Sequence, residues 1–84
     1  DAPDLLQLFN WSEDEFLKNT EGSAIRRIGY FRWLRNIAVA LGNAPASKNI
    51  IRQLEKMKQQ HGENDMLLEH INWALEQQHG HAER

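Results

Sequence analysis

Hydrophobic positions in this chain recur every three or four residues, the spacing that places side chains on one face of an α-helix. The pattern predicts four or five helices and no strand. The expected ranges are 3–9, 13–19, 30–41, 47–60 and 64–78, with a short helical turn at 24–28. We therefore expect an all-α fold.

Polar residues mark where these helices begin. Ser12 is followed three residues later by Glu15, a capping box that opens the helix 13–19. Ser47 is expected to cap the next-to-last helix, and either Asn64 or Asp65 the last one.

Small and polar residues mark where the helices end. Gly42-Asn43 is expected to end the middle helix in the left-handed conformation, and His61-Gly62 to end the following one. The tail from His79 onward is expected to be frayed.

Two of the predicted helices share a sequence pattern. Residues 34–41 align with residues 68–75 at an offset of 34, and Leu, Ile, Ala and Leu recur at the same four places. Any two amphipathic helices share such a pattern by chance at times, but the match of Ala40 with Ala74 favours a true repeat. Helix pairs of this length with a small residue at the packing position build α-solenoids of the HEAT type. We expect one short, right-handed, HEAT-like domain over residues 1–84.

Charge divides the chain into three parts. Residues 22–54 contain six basic side chains and no acidic one, whereas residues 1–21 carry a net charge of −5 and residues 55–84 one of −3. The whole chain is nearly neutral at −2. We accordingly expect an acidic lead-in (1–21), a basic motif with the first repeat helix (22–43), a second helix pair (47–78) and a tail (79–84). The concentration of positive charge indicates an anionic partner.

The basic segment interleaves arginines with aromatic residues, and this pattern is typical of RNA-binding surfaces. Arginine contacts phosphate through two parallel hydrogen bonds and also stacks on bases. Phe31 and Trp33 are expected in the core, while the position of Tyr30 is open. The alternative is that the arginines form salt bridges within this domain or with another one. The candidate nucleic-acid-binding residues are Arg26, Arg27, Tyr30, Arg32, Arg35, Asn36, Lys48 and Arg52.

Several classes of site are excluded by composition. The chain has no cysteine, so it cannot form a disulfide, a thiolate zinc site or a cysteine-ligated iron–sulfur cluster. Its four histidines lack metal-ligand spacing, so we expect no metal site, and no Ser/His/Asp grouping indicates catalysis. No apolar run is long enough to span a membrane and no secretory signal is visible. We expect a cytoplasmic, monomeric fragment of a longer protein.

The segment 20–45 resembles one family in particular. It is similar to the C-terminal region of epoxyqueuosine reductases, in which GS-x-I-R-R-x-G is followed by L-R-N-x-A-x-A-L-G-N. Residues 66–78 resemble that family's closing helix, with its EH-x-x-WAL pattern. The matching positions are Gly22, Ser23, Ile25, Arg26, Arg27, Gly29, Leu34, Arg35, Asn36, Ala38, Ala40, Leu41, Gly42, Asn43, Glu69, His70, Trp73, Ala74 and Leu75.

The resemblance implies a function for the parent protein. Such reductases use cobalamin and two [4Fe–4S] clusters to reduce epoxyqueuosine to queuosine at the wobble position of tRNA. The catalytic domains would lie upstream of this chain. The helical domain would hold the anticodon stem-loop of the tRNA against them. Two other roles are open: a protein–protein interaction module, and a structural buttress whose arginines contact the catalytic core.

Overall fold

A computed structural model describes residues 2–84, and within them all regular structure is helical. The elements are α1 (Ala2–Phe9), α2 (Glu13–Asn19), a 3₁₀ helix (Ala24–Ile28), α3 (Tyr30–Asn43), α4 (Lys48–Gln60) and α5 (Asp65–Ala82). The predicted all-α fold is confirmed.

The expected N-terminal caps are present. The Ser12 hydroxyl accepts from the Glu15 backbone N–H at 3.2 Å, and the Glu15 carboxylate accepts from the Ser12 N–H at 2.9 Å. The Ser47 hydroxyl caps α4 by accepting from the Ile50 backbone N–H at 3.2 Å. Asn64, rather than Asp65, caps α5 by accepting from the backbone N–H of Leu67 at 3.0 Å.

One apolar cluster joins the five α-helices. α3 packs against α5 and α1, and α4 packs against the same two helices. α1 and α5 therefore each contact both α3 and α4, and all four helices contribute to one core. The core residues are Phe9, Phe16, Tyr30, Trp33, Leu34, Ile37, Ala38, Leu41, Ile50, Leu54, Met57, Leu67, Ile71, Ala74 and Leu75.

α3 and α5 run side by side in the same direction. Val39 shares a groove with Glu69 and Trp73, while the Ala44 carbonyl, just after α3, accepts from the Gln78 side chain at 2.9 Å. Positions along the two helices thus increase together. The last pair is 34 residues apart, which is the offset of the sequence repeat. This arrangement is compatible with a HEAT-like stack.

Gly42 does not end α3, so the predicted left-handed cap at Gly42-Asn43 is wrong. The helix includes both residues and is followed by Ala44 in an extended conformation. In the described part of the chain, only Gly22 and Gly29 have positive φ. Gly42 is instead buried against α5, where a Cβ atom would lie 2.7 Å from the Trp73 ring and 2.9 Å from Cα of Ala74. The glycine is required by a close approach of two helices.

The C-terminal segment is more ordered than the sequence suggested. α5 continues to Ala82, so the predicted end near Gln78 and the frayed tail from His79 are both wrong. Gln78 is fully buried, and the His81 ring nitrogen lies 3.0 Å from the carbonyl oxygen of Gly42. These contacts to the end of α3 give the last turn of α5 tertiary partners.

Candidate nucleic-acid interface

Arg26 and Arg27 lie on the 3₁₀ helix directly before α3. Ser23 caps this helix, its hydroxyl accepting from the Ile25 backbone N–H at 3.2 Å. Both arginine side chains are exposed and, together with residues 22–24, line an open depression of about 590 Å³. We call this feature the arginine depression.

A second group of polar side chains lies on the outer face of α3. Arg32 and Asn36 are exposed, and Arg35 is half-buried beside them. The Arg35 Nε donates to the Asn36 Oδ1 at 3.1 Å, which orients the two side chains. These three residues form the basic strip. One helical turn separates Arg32 from the other two, so all three are neighbours on the helix surface.

The arginines of these two groups are free of acidic partners. Among residues 2–84, no side-chain hydrogen bond joins one of them to a carboxylate, and the partner of Arg35 is a neutral amide. Salt bridges within this domain, the alternative considered above, therefore do not occupy them. The guanidinium groups remain available to an external anion.

Lys48 and Arg52 lie on a different helix from the basic strip. Both are exposed on α4, one turn apart. Lys56, one turn further along the same face, donates to the Asn10 side chain at 2.8 Å at the end of α1.

Tyr30 lies in the core and does not offer a ring for stacking on a base. It is 7% exposed, and its hydroxyl donates to the Trp11 carbonyl at 2.6 Å. Burial raises the pKa of Tyr30 above its ordinary value, and the nearby carboxylates of Glu13 and Glu15 raise it further. A phenol in this position stabilises the fold, so Tyr30 is removed from the candidate interface.

The other aromatic residues of the segment hold α3 in place. The Trp33 ring stacks on Trp11 with ring centres 5.3 Å apart, and it also meets Phe16 at 5.0 Å. Half-buried Phe31 contacts the His61 ring edge-on at 5.5 Å, where α4 ends. The expected core position of Trp33 is confirmed. This cluster anchors the first turn of α3, which carries Arg32.

One aromatic residue near the basic strip, Trp73, is absent from the candidate residues that the sequence indicated. Trp73 is half-buried and lines an apolar groove of about 300 Å³ with Val39, Glu69 and His70. Val39 lies one helical turn from the Arg35–Asn36 pair, so this tryptophan groove adjoins the basic strip. The 34-residue offset of the sequence repeat indicated this proximity, because it aligns Trp73 with Val39, which lies on the outer edge of α3.

The described residues do not fit a metal centre or a cysteine-ligated cluster. No group of three potential metal ligands occurs among residues 2–84, and the whole chain lacks cysteine. In the same part of the chain, none of the helices combines the length and the apolar character needed to cross a membrane.

Sequence comparison identifies close relatives of the chain. It is 68% identical over 76 residues to the epoxyqueuosine reductase of Shewanella oneidensis, an alignment covering 90% of this chain and 19% of the relative. The corresponding protein of Escherichia coli is 64% identical over 92% of this chain and 20% of its own length. The epoxyqueuosine reductase of Xanthomonas campestris is 54% identical over 95% of this chain and 22% of its own length. No family model and no solved structure matches.

These relatives share one name and align with nearly all of this chain, which spans only about one fifth of their length. The short coverage is consistent with the C-terminal position that the resemblance implied. The chain is therefore a homologue of one segment, about a fifth, of proteins named epoxyqueuosine reductase, and in this structure that segment is helical.

Proposed function

We propose that this chain is the accessory tRNA-docking domain of an epoxyqueuosine reductase, which reduces epoxyqueuosine to queuosine at the wobble position of tRNA. The observation that carries the proposal is the surface formed by Arg26, Arg27 and the basic strip. Among residues 2–84, none of its guanidinium groups forms a hydrogen bond with a carboxylate, and the four arginines lie within ten residues of one another.

The chemistry of this surface suits the backbone of a folded RNA. Each guanidinium can donate two parallel hydrogen bonds to one phosphate, which fixes position as well as adding affinity. The 3₁₀ helix and α3 are consecutive elements in contact with each other, which keeps the two groups of charges in neighbouring parts of the domain. The Arg35–Asn36 hydrogen bond holds one of these guanidinium groups ready for contact.

The tryptophan groove gives the same surface a place for a base. Unpaired bases stack on exposed aromatic rings, and such contacts tolerate many sequences. Trp73 takes the role that the sequence had offered to Tyr30, since its ring lines the groove beside the basic strip.

The reduction itself belongs to the remaining four fifths of the protein. Cobalamin and the two iron–sulfur clusters implied by the family would be held there, because this chain has no cysteine with which to ligate a cluster. Within the proposal, the residues of this domain bind and orient RNA.

The proposal is tested by measuring how salt affects RNA binding. In the longer protein that contains this chain, Arg26, Arg27, Arg32 and Arg35 are replaced together by Ala, and the affinity for an anticodon stem-loop is measured at several salt concentrations. We expect affinity to fall by about tenfold or more, and the log–log slope to flatten by roughly 0.7–0.9 for each lost phosphate contact.

Lys48→Ala/Arg52→Ala is the matched control, because it removes two exposed basic side chains from a different helix. That variant is expected to bind like the wild type. If the quadruple variant melts like the wild type and keeps its affinity and salt slope, the tRNA-docking role is refuted for this surface.

A further inference from the structure

The 3₁₀ helix has no buried residue, and all eight residues from Glu21 to Ile28 are exposed. Two of them are large and apolar: Ile25 is 48% exposed and Ile28 is 41% exposed. A single exposed apolar side chain, such as Leu17 on α2 at 37%, is ordinary in folded proteins. A pair of isoleucines on an element that contributes nothing to the core requires an explanation.

The two isoleucines lie on one face of the element. A 3₁₀ helix has three residues per turn, so the side chains of Ile25 and Ile28 lie directly above one another. Arg26 and Arg27 fall on the other two faces and line the arginine depression, to which neither isoleucine contributes. The segment thus separates an apolar face, here called the isoleucine face, from a basic one.

Glycines at both ends hold the segment in this orientation. Gly22 has φ of 75° and Gly29 has φ of 87°, a backbone region that other residues rarely adopt. The chain therefore turns sharply into and out of the 3₁₀ helix. No packing of the helix on the domain's own core accounts for these turns, because none of its residues is buried.

We propose that the isoleucine face docks against the rest of the longer protein and fixes the orientation of this domain on its catalytic body. The relatives are about five times as long as the aligned region, so a covalently attached body is present in proteins of this family. Attachment raises the effective concentration of the two surfaces to the millimolar range, and a small apolar contact then suffices.

Other occupants fit this face less well. Isoleucine offers neither charge nor hydrogen bonds to RNA, which is bound chiefly through its phosphates. A stable dimer buries about 800 Å² on each partner, far more than two partly exposed isoleucines present. Contacts between domains of one chain are commonly smaller and partly polar. Docking of the isoleucine face does not depend on the proposed RNA binding.

The test uses trypsin, which cleaves after arginine. Arg26 and Arg27 lie between the two isoleucines in the chain and therefore provide cleavage sites in this segment. In the full-length protein, docking is expected to protect these sites. The double variant Ile25→Ser/Ile28→Ser should be cleaved there about tenfold faster or more, because the segment is released from the body. Leu17→Ser, which replaces a similarly exposed apolar residue on α2, should be cleaved as slowly as the wild type.

Hydrogen exchange on the wild-type protein gives a second measurement that does not rely on a variant. The backbone amides of residues 24–29 should be protected in the full-length protein without RNA. Exchange at the rate of an unstructured chain would overturn the proposal, as would protection that appears only after an anticodon stem-loop is added. Equal cleavage of the double variant and the wild type would also overturn it. Loss of RNA binding with protection intact would refute only the tRNA-docking role.

Discussion

At Gly42, the backbone of α3 lies so close to α5 that a methyl group has no room. The nearest atoms to an added Cβ belong to a ring and a backbone, neither of which can move aside easily. Gly42→Ala is therefore expected to lower the free energy of unfolding by about 1–3 kcal/mol, measured by chemical denaturation.

Gly80 provides the control for this substitution. It also lies in a helix, but an added Cβ would have no neighbour within 4 Å. Gly80→Ala should leave stability unchanged or raise it by about 0.5–1 kcal/mol, because alanine restricts the unfolded chain. Equal effects of the two substitutions would show that α3 and α5 are not in close contact at Gly42.

Tyr30 is the only tyrosine in the chain, so its ionisation can be followed directly by ultraviolet absorbance. Burial, with the carboxylates of Glu13 and Glu15, raises its pKa above 10.0 in the folded protein. The titration midpoint should therefore lie above 10.0 when folded and return to about 10 in denaturant. A folded midpoint at or below 10.0 would contradict the buried position.

The same shift links Tyr30 to stability at high pH. The folded state holds the phenolic proton more tightly than the unfolded state does. Its contribution is therefore fully present below the unfolded pKa and is lost as the pH rises through the folded pKa. Ionisation would also end donation from the Tyr30 hydroxyl to the Trp11 carbonyl.

At the scale of elements, α3 and α5 correspond to each other but are not equally buried. Ala74 is fully buried, whereas Ala40, its partner in the sequence repeat, is half-buried. The pair Leu34 and Leu68 differs in the opposite direction, since Leu34 on α3 is fully buried and Leu68 on α5 is half-buried. Ile51 on α4 is half-buried as well. The two helices have different neighbours, since α3 packs against α1 and α5 whereas α5 packs against α3 and α4.

This asymmetry predicts unequal effects of the same substitution. Ala74→Leu should lower the free energy of unfolding by about 1–3 kcal/mol through overpacking, and Ala40→Leu by less than about 1 kcal/mol. Thermal melting of both variants checks the order. If neither changes the melting temperature, the close packing at the repeat positions is absent and the repeat assignment fails.

A single side chain connects three elements at the end of the stack. Gln78 donates to the Leu41 carbonyl at 2.8 Å and to the Ala44 carbonyl, while its own oxygen accepts from the Ser47 backbone N–H at 3.0 Å. These bonds tie α5 to the end of α3 and the start of α4. They satisfy a buried amide that would otherwise destabilise the fold.

At the scale of the whole molecule, basic and exposed apolar side chains lie on separate faces, which the two proposals assign to RNA and to the catalytic body. The arginines of the 3₁₀ helix and of α3 form the basic surface, and the isoleucine face lies on another side of the same 3₁₀ helix. The acidic residues 13–15 are explained locally, since they lie in the first turn of α2, where the helix dipole favours negative charge. A domain built in this way would place RNA at a set position relative to the catalytic body.

Local features of this protein were predictable from the sequence alone. The capping box at Ser12, the cap at Ser47, a cap at Asn64 or Asp65 and a helical turn at 24–28 depend on residues close together in the chain. The all-α class and the concentration of arginines follow in the same way from spacing and composition. Such signals act over a few residues, so no knowledge of distant contacts is required.

Only the tertiary structure decided which of these residues face outward and which hold two helices together. Gly42 is inside α3 and α5 continues past Gln78 because each meets a partner more than 30 residues away. Tyr30 is buried by contacts with Trp11 and with Phe16 of α2, and Trp73 lines a groove with Val39 of α3. The sequence pattern identifies an apolar or small residue, but its neighbours across the fold determine whether it ends a helix, fills the core or lines a surface.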